Sequence, residues 1–182
     1  MKKLVSLIVS FVLLMSISAI AFAAENIEVA KESEVQDPIA TVSLEDGTVV
    51  EEYGDGIVFL YYTEDPSSTM ARAYGQQSTS YTGTIVDNGV KKYKMTVYGT
   101  FNVSSSIVTC VSRSESHNVL DGTNYTFDNP HAWHTPANGG STCWAYATVS
   151  VKKYSLGIPI KIFDFNVRVG YNTSGNRLTN QQ

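Results

Sequence analysis

The sequence predicts an all-β fold, an antiparallel β-sandwich or small barrel, and three observations carry that prediction. Apolar and polar residues alternate with period two through long stretches beyond residue 80. Turn signals separate those stretches. No window of eleven or more residues there shows a helical period. Alternation of this kind sends successive side chains to opposite faces of a strand, so one face meets a core and the other meets water. With 43% apolar and 16% charged residues in 182 positions, the chain can build one core of ordinary size and is not wholly disordered.

Met1-Lys2-Lys3, the apolar run Leu4 to Ile20 and Ala21-Phe22-Ala23 have the form of a secretory signal peptide, with cleavage expected after residue 23. No later stretch is apolar enough to span a membrane, so the expected product is secreted and extracellular. Residues 24–70 form an acidic leader with twelve acids and the single base Lys31, whereas residues 71–182 hold ten bases against five acids. The net charges are −11 and +5. Such asymmetry points to a solubilising tail, a mask or an anionic partner.

Within the leader, residues 24–38 are acidic, lack a period and are expected to be disordered. Thr41 to Leu44, Asp46-Gly47 and Val49-Val50 read as a small hairpin, and Ile57 to Tyr62 as a buried strand. A leader holding such a strand is expected to pair with the body, and Ser67 to Thr69 mark an exposed joint before the all-β domain of residues 71–182. In that domain, Asp87-Asn88-Gly89 supplies the positive φ angles of a tight hairpin turn between the Tyr81 to Ile85 alternation and the run Lys92 to Ser104. Tyr93, Met95, Val97, Gly99, Phe101 and Val103 form the predicted inner face of that run. Asp121-Gly122 marks the next turn, before Tyr125 and Phe127. Cys143, Ala145, Ala147, Val149 and Val151 line one side of a further strand, opposite Trp144 and Tyr146. Beyond it the apolar phase slips from Ile160 and Ile162 to Phe163, Phe165, Val167 and Val169, which predicts a β-bulge near Ile162-Phe163.

Cys110 and Cys143, two cysteines in an exported chain, are expected to form a disulfide. Ser141 to Tyr146 has a superficial likeness to the nucleophile segment of papain-like cysteine proteases. However, no histidine follows Cys143 to ionise its thiol, and the cysteine opens a strand where a helix would be needed. His131-Ala132-Trp133-His134 lies between Pro130 and Pro136 with Gly139-Gly140 beyond, and reads as a loop. Trp133 there could stack on a sugar ring, with His131 and His134 as polar neighbours, and Trp144, Tyr146 and Tyr98 are candidates for an aromatic patch. Lys91, Lys92, Lys94, Lys152, Lys153 and Lys161 would add long-range attraction.

The leading functional expectation is therefore a secreted, non-enzymatic β-domain that binds an anionic or carbohydrate polymer such as cell-wall material. Nucleic acid is not an expected partner, because basic residues are few in an exported chain, and no cofactor is expected. An alternative is an exported antibacterial or toxin-like protein held inactive by its acidic segment. A further one is a metal hydrolase built on His117, His131 and His134, although the chain carries no His-Glu-x-x-His pattern.

Overall fold

The structure, a computed structural model, describes residues 37–64 and 74–180. Residues 1–23, read as a signal peptide, most of the stretch expected to be disordered and the joint expected at Ser67 to Thr69 lie outside the described residues. The alternating runs form ten strands in two antiparallel sheets. Sheet A is a meander of β1 (Ala40–Ser43), β2 (Val49–Glu52), β3 (Ile57–Tyr62), β4 (Gly75–Asp87), β5 (Val90–Val103) and β6 (Val108–Val119). Sheet B holds β7 (Tyr125–Thr135), β8 (Thr142–Ser155), β9 (Ile158–Asn172) and β10 (Arg177–Thr179), in the order β10-β9-β8-β7. Among the described residues no helix is long and apolar enough to cross a membrane.

The strands derived from the acidic segment belong to the same sheet as the body, because β3 pairs with β4 along its whole length, from Ile57 opposite Asp87 to Tyr62 opposite Thr82. Only one face of β3 is buried: Ile57, Phe59 and Tyr61 enter the core, while Val58, Leu60 and Tyr62 are half-buried. The β4–β5 turn is the one expected, with Asn88 at φ 49° and Gly89 at φ 78°, both left-handed. The inner face of β5 is also as read from the sequence, since Tyr93, Met95, Val97 and Phe101 have no exposed surface. Asp121-Gly122 does mark a turn, but the strands on either side separate: β6 closes sheet A and β7 opens sheet B. Asn124 takes the left-handed conformation there, at φ 61°.

Two expectations need correction. His131 to His134 do not form a loop, because they continue β7 and pair with β8 from His131 opposite Thr148 to Thr135 opposite Trp144. The prolines and glycines that suggested a loop act at its ends. Asn129, at φ 53°, and Pro130 occupy an irregularity between Asp128 and His131, after which the ladder resumes. The bulge in β9 lies at Ile160, two residues earlier than expected. Lys153 faces Lys161 and Tyr154 faces Pro159, which leaves Ile160 as the extra residue and turns Phe163 inward opposite Val151.

The core lies between the sheets. Phe165 of β9 is fully buried, with its ring centroid 4.9 Å from Phe59 and 6.0 Å from Tyr61 of β3. Gly83 of β4 makes room for it, because a Cβ there would stand 2.6 Å from both Phe165 and Val167. At the other side of the sandwich, Tyr93 stacks on Phe127 at 4.3 Å. A polar clamp joins the sheets between these clusters: the Tyr125 hydroxyl donates to Asp87 at 2.9 Å, and Lys153 reaches the same carboxylate at 3.1 Å. Arg177 of β10 fastens the sheets at a third point. Its guanidinium donates to Thr79 Oγ1 and to the Ser80 carbonyl, each at 2.6 Å.

Candidate functional site

Antiparallel pairing places directly opposed residues on the same face of a sheet, so the registers of β7, β8 and β9 define rows across the outer surface of sheet B. One row reads Trp133, Tyr146, Arg168, and the next reads His131, Thr148, Asn166. The rings of Trp133 and Tyr146 are stacked, 4.0 Å apart and inclined by 8°. The indole N–H donates to Thr148 Oγ1 at 3.0 Å, and that hydroxyl donates to Asn166 Oδ1 at 2.7 Å. Trp133 is thereby held by both a ring and a hydrogen bond while remaining 39% exposed. Trp144, one row away, carries the Arg168 guanidinium 4.5 Å from its ring centroid.

Beside this aromatic row lies a groove of about 350 Å³. Its wall on sheet B is made of Trp133, Tyr146, Asp164, Asn166 and Arg168, with Asn180 after β10. Its other wall comes from the β2–β3 hairpin, through Tyr53, Phe59 and Tyr61. Three contacts hold the walls together. Lys161 of β9 bridges Asp55 in the hairpin turn at 2.6 Å and sits 5.9 Å from the Tyr53 ring, and Phe59 packs on Phe163 at 5.8 Å. Burial acts to raise the Asp55 carboxyl, but the hydrogen bond and charge of Lys161 outweigh it and hold the group below its ordinary range. Asn180 closes the end of the groove, accepting from the Arg168 amide at 2.7 Å and donating to the Asn166 carbonyl at 3.2 Å. Tyrosine and tryptophan faces beside planar amide, carboxylate and guanidinium groups can stack on a pyranose ring while bonding its hydroxyls.

The candidate residues read from the sequence distribute unevenly around this groove. Trp133 lines it, His131 lies one row away on the same face, and Lys152 is further along that face opposite Thr126. His134 opposes the core residue Ala145, so it points to the other side of β7 from Trp133. His117 is on β6, with Nδ1 2.9 Å from Glu115. The three histidines therefore do not converge, and among the described residues no three metal-ligating side chains gather in one place. Tyr98 lies on the outer face of sheet A, bonded to Ser116 at 3.3 Å, so it shares no patch with Trp144 and Tyr146.

Five of the six lysines read as sources of attraction are engaged within the fold, and the sixth, Lys91, is exposed. Lys92, mostly buried, bridges Asp121 at 2.6 Å, Lys94 bridges Glu64, and Lys152 bridges Asp128 at 2.9 Å. Lys153 and Lys161 hold Asp87 and Asp55. Two of these acids, Asp55 and Glu64, come from the acidic segment, so part of its charge is neutralised by the body it was read as opposing.

No disulfide joins Cys110 and Cys143 in the structure. Cys143 is buried on the core face of β8, and Cys110, on β6 in the other sheet, directs its thiol to the Ser112 carbonyl at 3.3 Å. Burial first, and then the neighbouring Cys143, push the Cys110 thiol up to about 11, and burial also raises Cys143. Because the thiolate is the reactive form, neither cysteine should react quickly at neutral pH. The folded protein should be modified by Ellman's reagent at pH 7.5 far more slowly than protein unfolded in guanidinium. Equal rates in the two states would contradict this burial.

Sequence reasoning did not find Tyr53, Tyr61, Asn166, Arg168 or Asn180. The outward positions of β9 were available as the polar partners in its alternation, but nothing local placed them beside the hairpin. No protein-family model matches the chain. No curated protein matches it either. Among solved structures, a hypothetical protein from Listeria monocytogenes EGD-e with a crystal structure is similar over 81% of this chain and 97% of its own, at 18% identity and a TM-score of 0.38.

Proposed function

We propose that the chain is a secreted, non-enzymatic binding module and that its ligand is a carbohydrate polymer of the cell exterior, held in the groove between the outer face of sheet B and the β2–β3 hairpin. The observation that carries this reading is the stack of the exposed Trp133 on the half-buried Tyr146, set beside Asp164, Asn166, Arg168 and Asn180. Export rests on the signal-peptide pattern of residues 1–23. An electrostatic grip by Lys92, Lys94 and Lys152 receives less support, because each already has a carboxylate partner. Carbohydrate, which needs stacking and hydrogen bonds more than net charge, is accordingly favoured over a purely anionic polymer.

The test is co-sedimentation with purified cell-wall polysaccharide, repeated at rising salt, with tryptophan fluorescence as a second readout. Binding should change little with salt, in contrast to a lysine-driven interaction. Trp133→Ala should weaken it about tenfold or more while the protein still unfolds cooperatively, at a lower temperature because the ring stack and the indole hydrogen bond are lost. Full binding by Trp133→Ala, or no binding by the parent, would overturn the assignment.

A further inference from the structure

The outer edge of sheet A presents a second surface, unrelated to the groove. Among the described residues β1 pairs with β2 and has no strand on its other side. All four of its residues are exposed, and the flanking Ile39 is 68% exposed. The bond from the Leu44 amide to the Thr48 carbonyl fixes which positions face inward. By the alternation of an antiparallel ladder, Ala40 and Val42 bond to β2, and the backbone N–H and C=O groups of Thr41 and Ser43 point away from the sheet.

Open edges invite further strands and are commonly guarded. Two of the other three edges, β6 and β7, show such guards. β6 carries Arg113, Glu115 and His117 at inward-pointing positions opposite Gly99, Val97 and Met95, and β7 is interrupted at Asn129 and Pro130. From Ile39 to Leu44 there is no charge and no proline. The surroundings carry one sign of charge: the chain from Asp37 to Glu64 has seven acids and no lysine, arginine or histidine. Asp55 and Glu64 are bridged to lysines, whereas Asp37, Glu45 and Glu52 are exposed close to the edge.

We propose that β1 accepts an extended, lysine- or arginine-bearing segment of another protein as an added strand. Main-chain bonds to Thr41 and Ser43 supply the pairing, and Asp37, Glu45 and Glu52 select for positive charge. A second copy of this chain is disfavoured at the same edge, because it would bring these carboxylates against their own equivalents.

The probe is a fluorescent heptapeptide, Lys-Val-Lys-Val-Thr-Val-Lys, followed by anisotropy against the purified protein. Saturable binding is expected, with slowed amide exchange at Thr41 and Ser43. The same peptide with a central proline, equal in charge, should fail to bind. Thr41→Pro removes an outward amide that makes no bond to β2, and should weaken binding about tenfold. The double variant Glu45→Lys, Glu52→Lys, which leaves the edge backbone intact, should reverse the preference toward Glu-Val-Glu-Val-Thr-Val-Glu. Equal binding of the proline-containing peptide, or an unreversed preference in the double variant, would overturn the proposal. A concentration-dependent dimer abolished by Thr41→Pro would also overturn it, by giving the edge to a second copy.

Discussion

Replacing Asp87 by Ala is expected to cost about 3–5 kcal/mol of folding free energy, seen as a lower urea midpoint with an unchanged slope. Asp87 is 7% exposed and receives the Tyr125 hydroxyl, the Lys153 ammonium and the Asn88 side-chain amide. Removing the carboxylate leaves Lys153, whose side chain is only 16% exposed, as a nearly buried cation with no anion beside it. It also strands the phenol of Tyr125, which burial and then the Asp87 hydrogen bond hold protonated beyond its ordinary range. Asp87→Asn, which keeps acceptor and shape but loses the charge, should cost less than the alanine. The double variant Asp87→Ala, Lys153→Met should recover part of the loss, because it removes the orphaned charge with its partner. A loss below 1 kcal/mol for Asp87→Ala would show that the two sheets do not depend on this clamp.

Phe165→Ala should destabilise the protein by about 3–5 kcal/mol through lost burial and the cavity left behind. The ring has no exposed surface and meets aromatic side chains of the opposite sheet. A more specific outcome follows from Gly83. Its missing Cβ would collide with the Phe165 ring and with Val167, so Gly83→Ala alone forces a methyl into occupied space. In the Phe165→Ala background that methyl has room on the ring side. The two substitutions should therefore couple, the double variant being more stable than the sum of single losses predicts, and chemical denaturation of all four proteins measures the coupling. Strict additivity would refute the picture of ring and notch.

The faces of the long strands were legible because burial imposes a period of two on the sequence itself: Tyr93 to Val103 and Cys143 to Val151 are in the core as their alternation requires. The Asn88-Gly89 turn was legible because its backbone needs positive φ at both residues. What lay beyond reach was register. His131 to His134 looked like a loop because Pro130 and Pro136 flank them, and the conformation that lets the strand resume belongs to Asn129. The lysines were counted as free charges because their partners are remote, with 106 positions separating Lys161 from Asp55. The groove has the same character. Trp133 and Tyr146 could be singled out one at a time, but Tyr53, Arg168 and Asn180 join them only once β7, β8 and β9 are aligned and the hairpin is tied to β9.

The chain order of the two sheets has a consequence for how the molecule is made. Every strand from β1 to β6 pairs with its neighbour in sequence, and the same is true from β7 to β10, with a single passage between sheets after Val119. As the chain emerges N-terminus first into the compartment where it folds, the first sheet can be completed by hairpin growth before the second has appeared. Until β8 and β9 emerge, Phe59, Tyr61, Met95 and Phe101 have nothing to cover them. The half-made protein is then at its stickiest, and a holding chaperone would find its grip on that bare apolar surface.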